Sequence, residues 1–448
     1  MLLFALALAA PLWSYQVTAL DGGARLAVEA TFPAGTAEEM GVAAGAEPFV
    51  RGVTVDSRPA DSAGGSWRLA GCRRGCRVHY SFALAEAAES LDDSDAAKRF
   101  GEVLEATPGT WLLRPAARSQ AAHIRLRVDT APGLRFAAGL RATEGAWQIE
   151  EDDLPSAPYC AFGPLRVDAV RIGGATLQIA FPPGRWALAD DAIAAFVAQQ
   201  GRAVAEYFGR LPVDGTLVLV IPAERGTHGS TMGGGGASVL YYLGRSASAD
   251  VLERDWVLAH ELIHTGLPSL PSRRQHWAEE GFATYLEPIA RARAGLLPPS
   301  QVWRELIEGL PNGLPGPGDR GLDNTPTWGR TYWGGALFWL LADVRIRERT
   351  GNRRSLDDAL RALITQGGTI AAHWRLSQVL EVGDRAVGVR VLEDLHEEMG
   401  SQPLPVDLDA LFRRLGAAVR GGEVVFDDRA PLASIRAAIT SSGGQFRR

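Results

Sequence analysis

Two segments of the sequence indicate the fold: His260-Glu261-Leu262-Ile263-His264 and, after a short connector, Trp277-Ala278-Glu279-Glu280-Gly281-Phe282-Ala283-Thr284-Tyr285. Read as a helix, the first segment places His260 and His264 one turn apart on the same face, with Glu261 beside them. Two imidazoles placed in this way can bind one metal ion. The second segment offers a carboxylate, Glu280, sixteen positions after His264. A His2Glu set leaves one position on Zn²⁺ open for water and lowers the pKa of that water to about 7, so we predict one zinc ion per chain and hydrolytic chemistry.

The flanking residues predict that both segments are helical. Asp250, with Glu253 three residues later, is typical of an N-cap and its reciprocal glutamate. Apolar residues at helical spacing predict one stripe made of Leu252, Trp256, Ala259 and Ile263. Gly266 to Pro268 should end this helix, and a second helix is expected from about Arg274 to about Ala294. The alternative is an ordinary surface helix with solvated histidines, because the five-residue motif has only three fixed letters.

Glu279 competes with Glu280 for the third ligand position. Gly281 directly follows Glu280, which suggests close packing against the helix that carries the two histidines and favours Glu280. Glu261 is the expected general base, since it lies where it can take a proton from a metal-activated water. His276 and Glu287 are close in sequence and are supporting candidates only.

These segments resemble the gluzincin metallopeptidases. HELIHT (260–265) with WAEEGFATYLEP (277–288) is similar to the zinc-binding core of the aminopeptidase N group and, more closely, of the glycyl aminopeptidase family. The resemblance extends over about 211–363 and implies a thermolysin-like α/β catalytic domain with Glu280 as the third ligand. The segment RTYWGGA (330–336) resembles a family segment whose tyrosine stabilises the tetrahedral intermediate, which implies that role for Tyr332.

A glycine run precedes the motif, and we interpret it as a candidate substrate site. In the gluzincins the strand before the metal-binding helix is an edge strand to which a peptide adds, and glycines allow close approach of a backbone. The candidate residues are Met232, Gly233, Gly234, Gly235 and Gly236. A flexible loop without a role explains the run equally well.

The same run departs from the aminopeptidase N pattern, which has a glutamate there to hold the substrate's free amine. An amine anchor must then come from elsewhere, with Glu279, Asp319 and Asp323 as the possibilities. The irregular segment Pro311–Trp328 is a candidate binding loop. We predict zinc-dependent hydrolysis of peptides, with removal of N-terminal residues as the first interpretation. A zinc endopeptidase and a catalytically silent binding protein on the same fold are the alternatives.

Composition and local patterns predict an α+β multidomain chain. Its 448 residues are 46% apolar and 22% charged with a net charge of -6, and only one of the 46 basic residues is a lysine, Lys98. No basic cluster is present, which argues against a nucleic-acid partner. Short alternating segments predict an N-terminal β-sandwich over 11–185, followed by the catalytic domain over 186–345 and a mainly helical region over 346–448.

Residues 1–10 resemble a signal peptide with cleavage near Ala10, although the positive n-region is missing. Cys72 and Cys76 are spaced for a tight disulfide, and Cys160 should be free and buried. We therefore expect an exported protein, periplasmic or secreted, with no stable membrane insertion beyond that leader. Peptides are the expected partners, and the sequence leaves the oligomeric state open.

Overall fold

A computed structural model describes residues 12–116 and 122–441, and the expected leader at 1–10 lies outside these ranges. The described chain is a mixed α+β structure with several sheets and a helical C-terminal region, as predicted. Within the described ranges, none of the helices is both long enough and apolar enough to cross a bilayer.

Short strands and two helices form the N-terminal part. The helices are α1 (Leu84–Leu91) and α2 (Pro108–Trp111). The strands are β1 (Leu12–Leu20), β2 (Arg25–Ala34), β3 (Glu39–Gly41), β4 (Val50–Val55), β5 (Arg58–Pro59), β6 (Asp61–Ala63), β7 (Ser66–Arg68), β8 (Arg74–Phe82), β9 (Ala97–Phe100), β10 (Val103–Ala106), β11 (Arg114–Pro115), β12 (His123–Thr130), β13 (Arg135–Ala138), β14 (Arg141–Thr143), β15 (Ala146–Glu150) and β16 (Cys160–Gly163).

These strands form one large sheet and two small ones around a shared apolar core. The large sheet has the order β14-β15-β12-β1-β2-β8-β4-β5, and the small sheets have the orders β13-β16-β10-β9 and β11-β3-β7-β6. Strands β1 and β2 form an antiparallel hairpin, with Val17 opposite Val28. Its alternating residues face the core, because side chains of a strand point to opposite faces in turn.

The cysteines lie in this part of the molecule. Cys72 and Cys76 form a disulfide with their Cα atoms 4.7 Å apart. Gly75, between them, has φ +91°, a conformation that suits glycine. Cys160 is free and buried.

A second sheet lies in the region that carries the two motif segments. Its strands are β17 (Arg166–Ile172), β18 (Ala175–Phe181), β19 (Thr216–Ala223), β20 (Thr227–Gly233) and β21 (Ala237–Gly244), in the order β17-β18-β19-β21-β20. The three inner strands are parallel and the two outer ones antiparallel. The chain passes from the first group of sheets to this one between Gly163 and Arg166, and the domain boundary near 185 stays a prediction. Alternation along β17 and β18 shows that they are strands, but not which sheet they join.

Helices make up most of the remainder. They are α3 (Asp190–Phe208), α4 (Ala249–Arg254), α5 (Val257–His264), α6 (His276–Arg293), α7 (Pro299–Gly309), α8 (Gly335–Thr350), α9 (Leu356–Thr365), α10 (Leu376–Val387), α11 (Leu392–Met399), α12 (Leu408–Leu415) and α13 (Ala433–Thr440), with a hairpin of β22 (Ala417–Arg420) and β23 (Glu423–Phe426). The predicted boundary at 345 falls inside α8. One apolar core extends from Ile172 to Ile439, so the C-terminal helices share the core of the second sheet and the motif helices.

The motif helix is interrupted, which the sequence did not predict. Asp250 does not start a single helix, because α4 ends at Arg254 and α5 begins at Val257. Asp255 lies in the break and accepts a hydrogen bond from the Leu258 N–H at 3.1 Å. Aspartate side chains compete for backbone N–H groups in this way and favour helix ends. Trp256 consequently leaves the predicted apolar stripe and is 53% exposed.

Helices α6 and α8 cross at two glycines. A Cβ on Gly281 would lie 2.2 Å from the carbonyl carbon of Gly335, and a Cβ on Gly335 would lie 2.1 Å from the Trp277 carbonyl oxygen. Gly281 therefore permits close packing against α8, and not against the motif helix as its position after Glu280 suggested.

Replacing Gly281 with alanine should destabilise this crossing. The added methyl group meets backbone, which cannot rotate away, so we expect a loss of about 1–3 kcal/mol in the free energy of unfolding. Chemical denaturation measures it, with Gly316→Ala as the control because a Cβ there has nothing within 4 Å. Equal midpoints for both variants would contradict the close crossing.

Candidate metal centre

Helices α5 and α6 bring three ligand side chains together. Ligand atoms of His260, His264 and Glu280 all lie within 4.8 Å of one another. Glu280 Oε2 is 3.3 Å from His260 Nε2 and 3.8 Å from His264 Nε2. Ligands of a tetrahedral zinc ion with bonds of 2.0–2.2 Å are about 3.4 Å apart, so the spacing and the His2Glu donor set fit Zn²⁺.

The charges of this cluster also suit a cation. Burial lowers the pKa of His264, which keeps the imidazole neutral with a free lone pair. Burial would raise the pKa of Glu280, but His264, His260 and His276 outweigh it and hold the value at about 2. At neutral pH the site thus presents neutral His264 and an ionised carboxylate.

Glu261 is held by the edge strand of the second sheet. Thr231 on β20 donates a hydrogen bond to Glu261 Oε2 at 2.6 Å, and its hydroxyl is 2.9 Å from the Glu261 carbonyl oxygen. Burial raises the pKa of Glu261, partly offset by His264 and Thr231. A carboxylate with a raised pKa, fixed beside a metal cluster, is suited to moving protons near neutral pH.

Tyr332 lies on a π turn, Arg330–Gly334, that leads into α8. Burial, with the Glu280 and Glu261 carboxylates, raises the pKa of Tyr332 to about 12, so its phenol stays protonated and can donate. Arg330 anchors the turn through a buried ion pair with Asp319 at 2.8 Å and a hydrogen bond to the Gly313 carbonyl.

A cleft of about 730 Å³ surrounds these groups. Its lining includes the three ligands, Glu261, Tyr332 and Glu279, together with β20 residues from Thr227 to Gly233. Glu279 accepts a hydrogen bond from the Leu270 N–H at 3.0 Å and lies 3.3 Å from His276 Nδ1. His276 Nε2 is 3.5 Å from Glu280 Oε1, so His276 contacts one of the three ligands without being a member of the ligand cluster.

The glycine run is only partly in the cleft. Met232 and Gly233 line it, whereas the other three glycines pack against the N-terminal part. A Cβ on Gly234 would lie 2.4 Å from the Ser156 carbonyl oxygen, and one on Gly236 2.0 Å from that of Gly139. A Cβ on Gly235 would meet the Asp153 carboxylate at 3.2 Å. The run thus joins the two halves of the chain, and the edge strand is β20, one strand earlier than β21, which directly precedes the metal helices.

Two of the candidate amine anchors have structural partners away from the cleft. Asp319 is the buried partner of Arg330. Asp323 accepts hydrogen bonds from Trp277 Nε1 at 2.8 Å and pairs with His396 Nε2 at 3.0 Å. Neither lines the cleft, so Glu279 is the anchor candidate that the structure places there.

Sequence reasoning missed Gly229 and Thr231 on β20. A Cβ on Gly229 would lie 2.4 Å from Glu261 Cγ, so a side chain at this position would push Glu261 aside. The sequence feature that could have indicated them is the run of small residues just before Met232. It adjoins the longer glycine run, which was interpreted instead.

Gly229→Ala should displace Glu261 while leaving the three ligands in place. A misplacement of about 1 Å costs roughly 10²-fold in rate, so we expect kcat to fall by that order with zinc content unchanged. Steady-state kinetics and metal analysis measure the two quantities. Gly41→Ala is the control, since a Cβ there is in open space, and unchanged kcat in Gly229→Ala would contradict the contact.

Comparisons with known proteins support this geometry at the level of fold. No protein-family model matches the sequence, and no curated protein matches it. An aminopeptidase N family protein from Idiomarina loihiensis superposes with a TM-score of 0.68 at 16% identity, over 91% of this chain and 79% of that one. An M1 zinc metallopeptidase variant from Deinococcus radiodurans, bound to the substrate Tyr-Ser-Ala, superposes with a TM-score of 0.55 at 14% identity. The match covers 89% of this chain and 95% of that one. Legionella pneumophila aminopeptidase A in complex with aspartic acid superposes with a TM-score of 0.51 at 13% sequence identity. The match covers 88% of this chain and 49% of that one.

The chain therefore has the fold of the M1 zinc metallopeptidases. More particularly, it is the fold of the aminopeptidase N family proteins among its structural neighbours. The gluzincin, aminopeptidase N-like resemblance drawn from the two sequence segments is confirmed at this level. The closer likeness to the glycyl aminopeptidase family stays a prediction.

Proposed function

We propose that this protein is a zinc-dependent peptidase that removes N-terminal residues from peptides. The observation that carries the proposal is the cluster of His260, His264 and Glu280 with Glu261 beside it, inside a cleft bordered by an edge strand. Structural neighbours described as zinc metallopeptidases and aminopeptidases support the choice of metal and reaction.

The three ligands would hold one Zn²⁺, which supplies Lewis acidity toward water and the scissile carbonyl. Glu261 takes a proton from the attacking water and passes it to the leaving amine nitrogen. Thr231 fixes the Glu261 carboxylate for this transfer. Tyr332 donates a hydrogen bond to the oxygen that becomes negatively charged as the carbonyl is attacked.

Strand β20 is the proposed platform for the substrate. It stands at the end of its sheet and pairs with β21 on one side only, so its other edge can accept an extended peptide. Near its last residue, Gly233, the cleft lining includes Ile370, Ser156 and His373. Ser156 Oγ is 3.0 Å from His373 Nε2, so these two side chains meet at this end of β20. A cleft bounded by this contact would favour trimming of a terminus over cleavage within a long chain.

Glu279 is the proposed anchor for the free amine. Besides Glu261 and Glu280 it is the remaining carboxylate of the cleft lining. Its position next to Glu280 in sequence places it close to the metal ligands, where the amine of an N-terminal residue would be.

A peptide library tests the proposed activity. Alanine- and glycine-rich peptides with free and N-acetylated termini are incubated with the zinc-loaded protein, and products are read by mass spectrometry. Loss of the first residue from free peptides alone supports an aminopeptidase. Internal cleavage of acetylated peptides would instead support the endopeptidase alternative, and no cleavage with zinc bound would support the silent binding protein.

Tyr332→Phe should slow turnover without loss of zinc. Removing one donor to a developing oxyanion costs about 10²–10³ in kcat, or about 2.7–4 kcal/mol. We expect KM to change much less than kcat, since the hydrogen bond strengthens in the transition state. A kcat within threefold of wild type would remove Tyr332 from this role.

Export remains part of the proposal. The Cys72–Cys76 disulfide suits an oxidising compartment, where such bonds persist. Fractionation of the native host, with thiol labelling of the recovered protein, tests it. Reduced cysteines in a cytosolic fraction would contradict export.

A further inference from the structure

A second cavity, of about 510 Å³, adjoins the cleft and is not used by the proposed mechanism. The two cavities share Trp256, His260 and Tyr332, so a peptide held at the metal centre faces both. We propose that this cavity binds the side chain of a lysine or arginine in the substrate residue that flanks the scissile bond. The inference rests on the proposed peptidase function and names its substrate class.

The second cavity is deep enough, measured from the metal centre, to hold a long side chain. Glu280, Thr284 and Glu287 are at positions i, i+4 and i+7 of α6 and share one face. Seven residues of helix separate the Cα atoms of Glu280 and Glu287 by about 10 Å along the axis. A lysine or arginine side chain reaches roughly 6–7 Å from its Cα by ordinary bond lengths, whereas the α-amine is about 2.5 Å from the carbonyl carbon. A side chain can therefore approach Glu287, while the amine stays near the metal.

The charge of the lining favours a cation. Glu287 is only 4% exposed, and its Oε1 accepts a hydrogen bond from Arg291 Nη1 at 2.7 Å. Its Oε2 accepts no hydrogen bond from any residue that the structure describes. Glu305 is half-buried and accepts only from the neutral Gln301 amide, at 2.9 Å, within the same ranges. Among the residues that the structure describes, the lining contains both carboxylates and no lysine or arginine.

Tryptophans form the cavity walls. Trp256 and Trp328 are 53% and 64% exposed, which is unusual for such large apolar side chains, and Trp333 lies beside them. Indole faces attract ammonium and guanidinium groups. An apolar occupant would pack against the walls but would supply no cationic partner for Glu305 or for Oε2 of Glu287, whereas an ammonium or guanidinium group would supply one. Trp328 ends the 311–328 segment, so this is the part of that loop that meets the substrate.

Paired peptides test the proposal by binding and by turnover. Lys-Ala-Ala and Ala-Lys-Ala are compared with the same peptides carrying norleucine, which has a similar shape without the charge. Calorimetry on the zinc-loaded Glu261→Gln protein gives affinities independently of cleavage, and wild type gives kcat/KM. The variants are Glu305→Gln and Trp328→Ala, in the same two backgrounds. Glu308→Gln is the matched control, because Glu308 is on the same helix, exposed and outside the cavity. Glu287 itself is left intact, since its loss would leave buried Arg291 unpaired.

We expect the lysine peptide to bind about tenfold more tightly than its norleucine counterpart in at least one position. Glu305→Gln and Trp328→Ala should each lower that ratio at least threefold, and Glu308→Gln should not. Equal binding of the two peptides, or a ratio that neither variant changes, overturns the proposal. If the lysine preference holds but wild type cuts no peptide, the proposed function fails while the cavity assignment stands.

Discussion

Glu261→Gln should reduce kcat by about 10²–10⁴-fold while the protein keeps its zinc. The amide cannot accept a proton from the attacking water, and general acid–base catalysis is worth about that factor. The substitution is nearly isosteric, and Thr231 can still hydrogen-bond to the amide oxygen, so the side chain should stay in place. Single-turnover kinetics on a cleaved peptide give the rate, and atomic absorption gives the metal content.

Thr231→Val is the matched comparison for this variant. It removes the hydroxyl that holds Glu261 but leaves the carboxylate, so its rate should lie between wild type and Glu261→Gln. Equal activity in wild type and Glu261→Gln would end the proposed mechanism, whatever the metal content.

Glu280→Gln should lower zinc affinity by more than about 100-fold and abolish activity with it. Loss of a hydrogen-bonding partner outside the ligand shell already costs 10–100-fold, and here a charged ligand is removed from between two histidines. Zinc titration against a competing chelator measures the change. Chelation of the wild type should likewise remove activity, and added zinc should restore it.

Glu279→Gln is the control for that experiment, since the sequence left Glu279 and Glu280 in competition. The structure places Glu280 against both histidines and Glu279 against Leu270 and His276. Glu279→Gln should therefore retain zinc and weaken the binding of free-amine peptides. Loss of zinc in Glu279→Gln but not in Glu280→Gln would reverse the assignment.

Local sequence patterns predict most of the helices and strands that surround the metal centre. Helix α6, the end of α5 near Gly266 and strands such as β12 follow from periodicity and stop signals. The break at Asp255 was not predicted, because the apolar stripe from Leu252 to Ile263 continues across it. Alternation predicts that β17 and β18 are strands, but their place in the second sheet depends on pairing with β19, which lies beyond α3 in the chain.

By itself the sequence determined which residues could hold a metal ion, since a helix fixes the separation of His260 and His264 through its own hydrogen bonds. It also determined the α+β class and the gluzincin-like resemblance. Only the tertiary structure decided that β20 is the edge strand, that the glycines 234–236 face the N-terminal part, and that Gly281 meets Gly335. These are contacts between segments far apart in the chain. They depend on how sheets and helices pack against one another, and no spacing within a single segment records that packing.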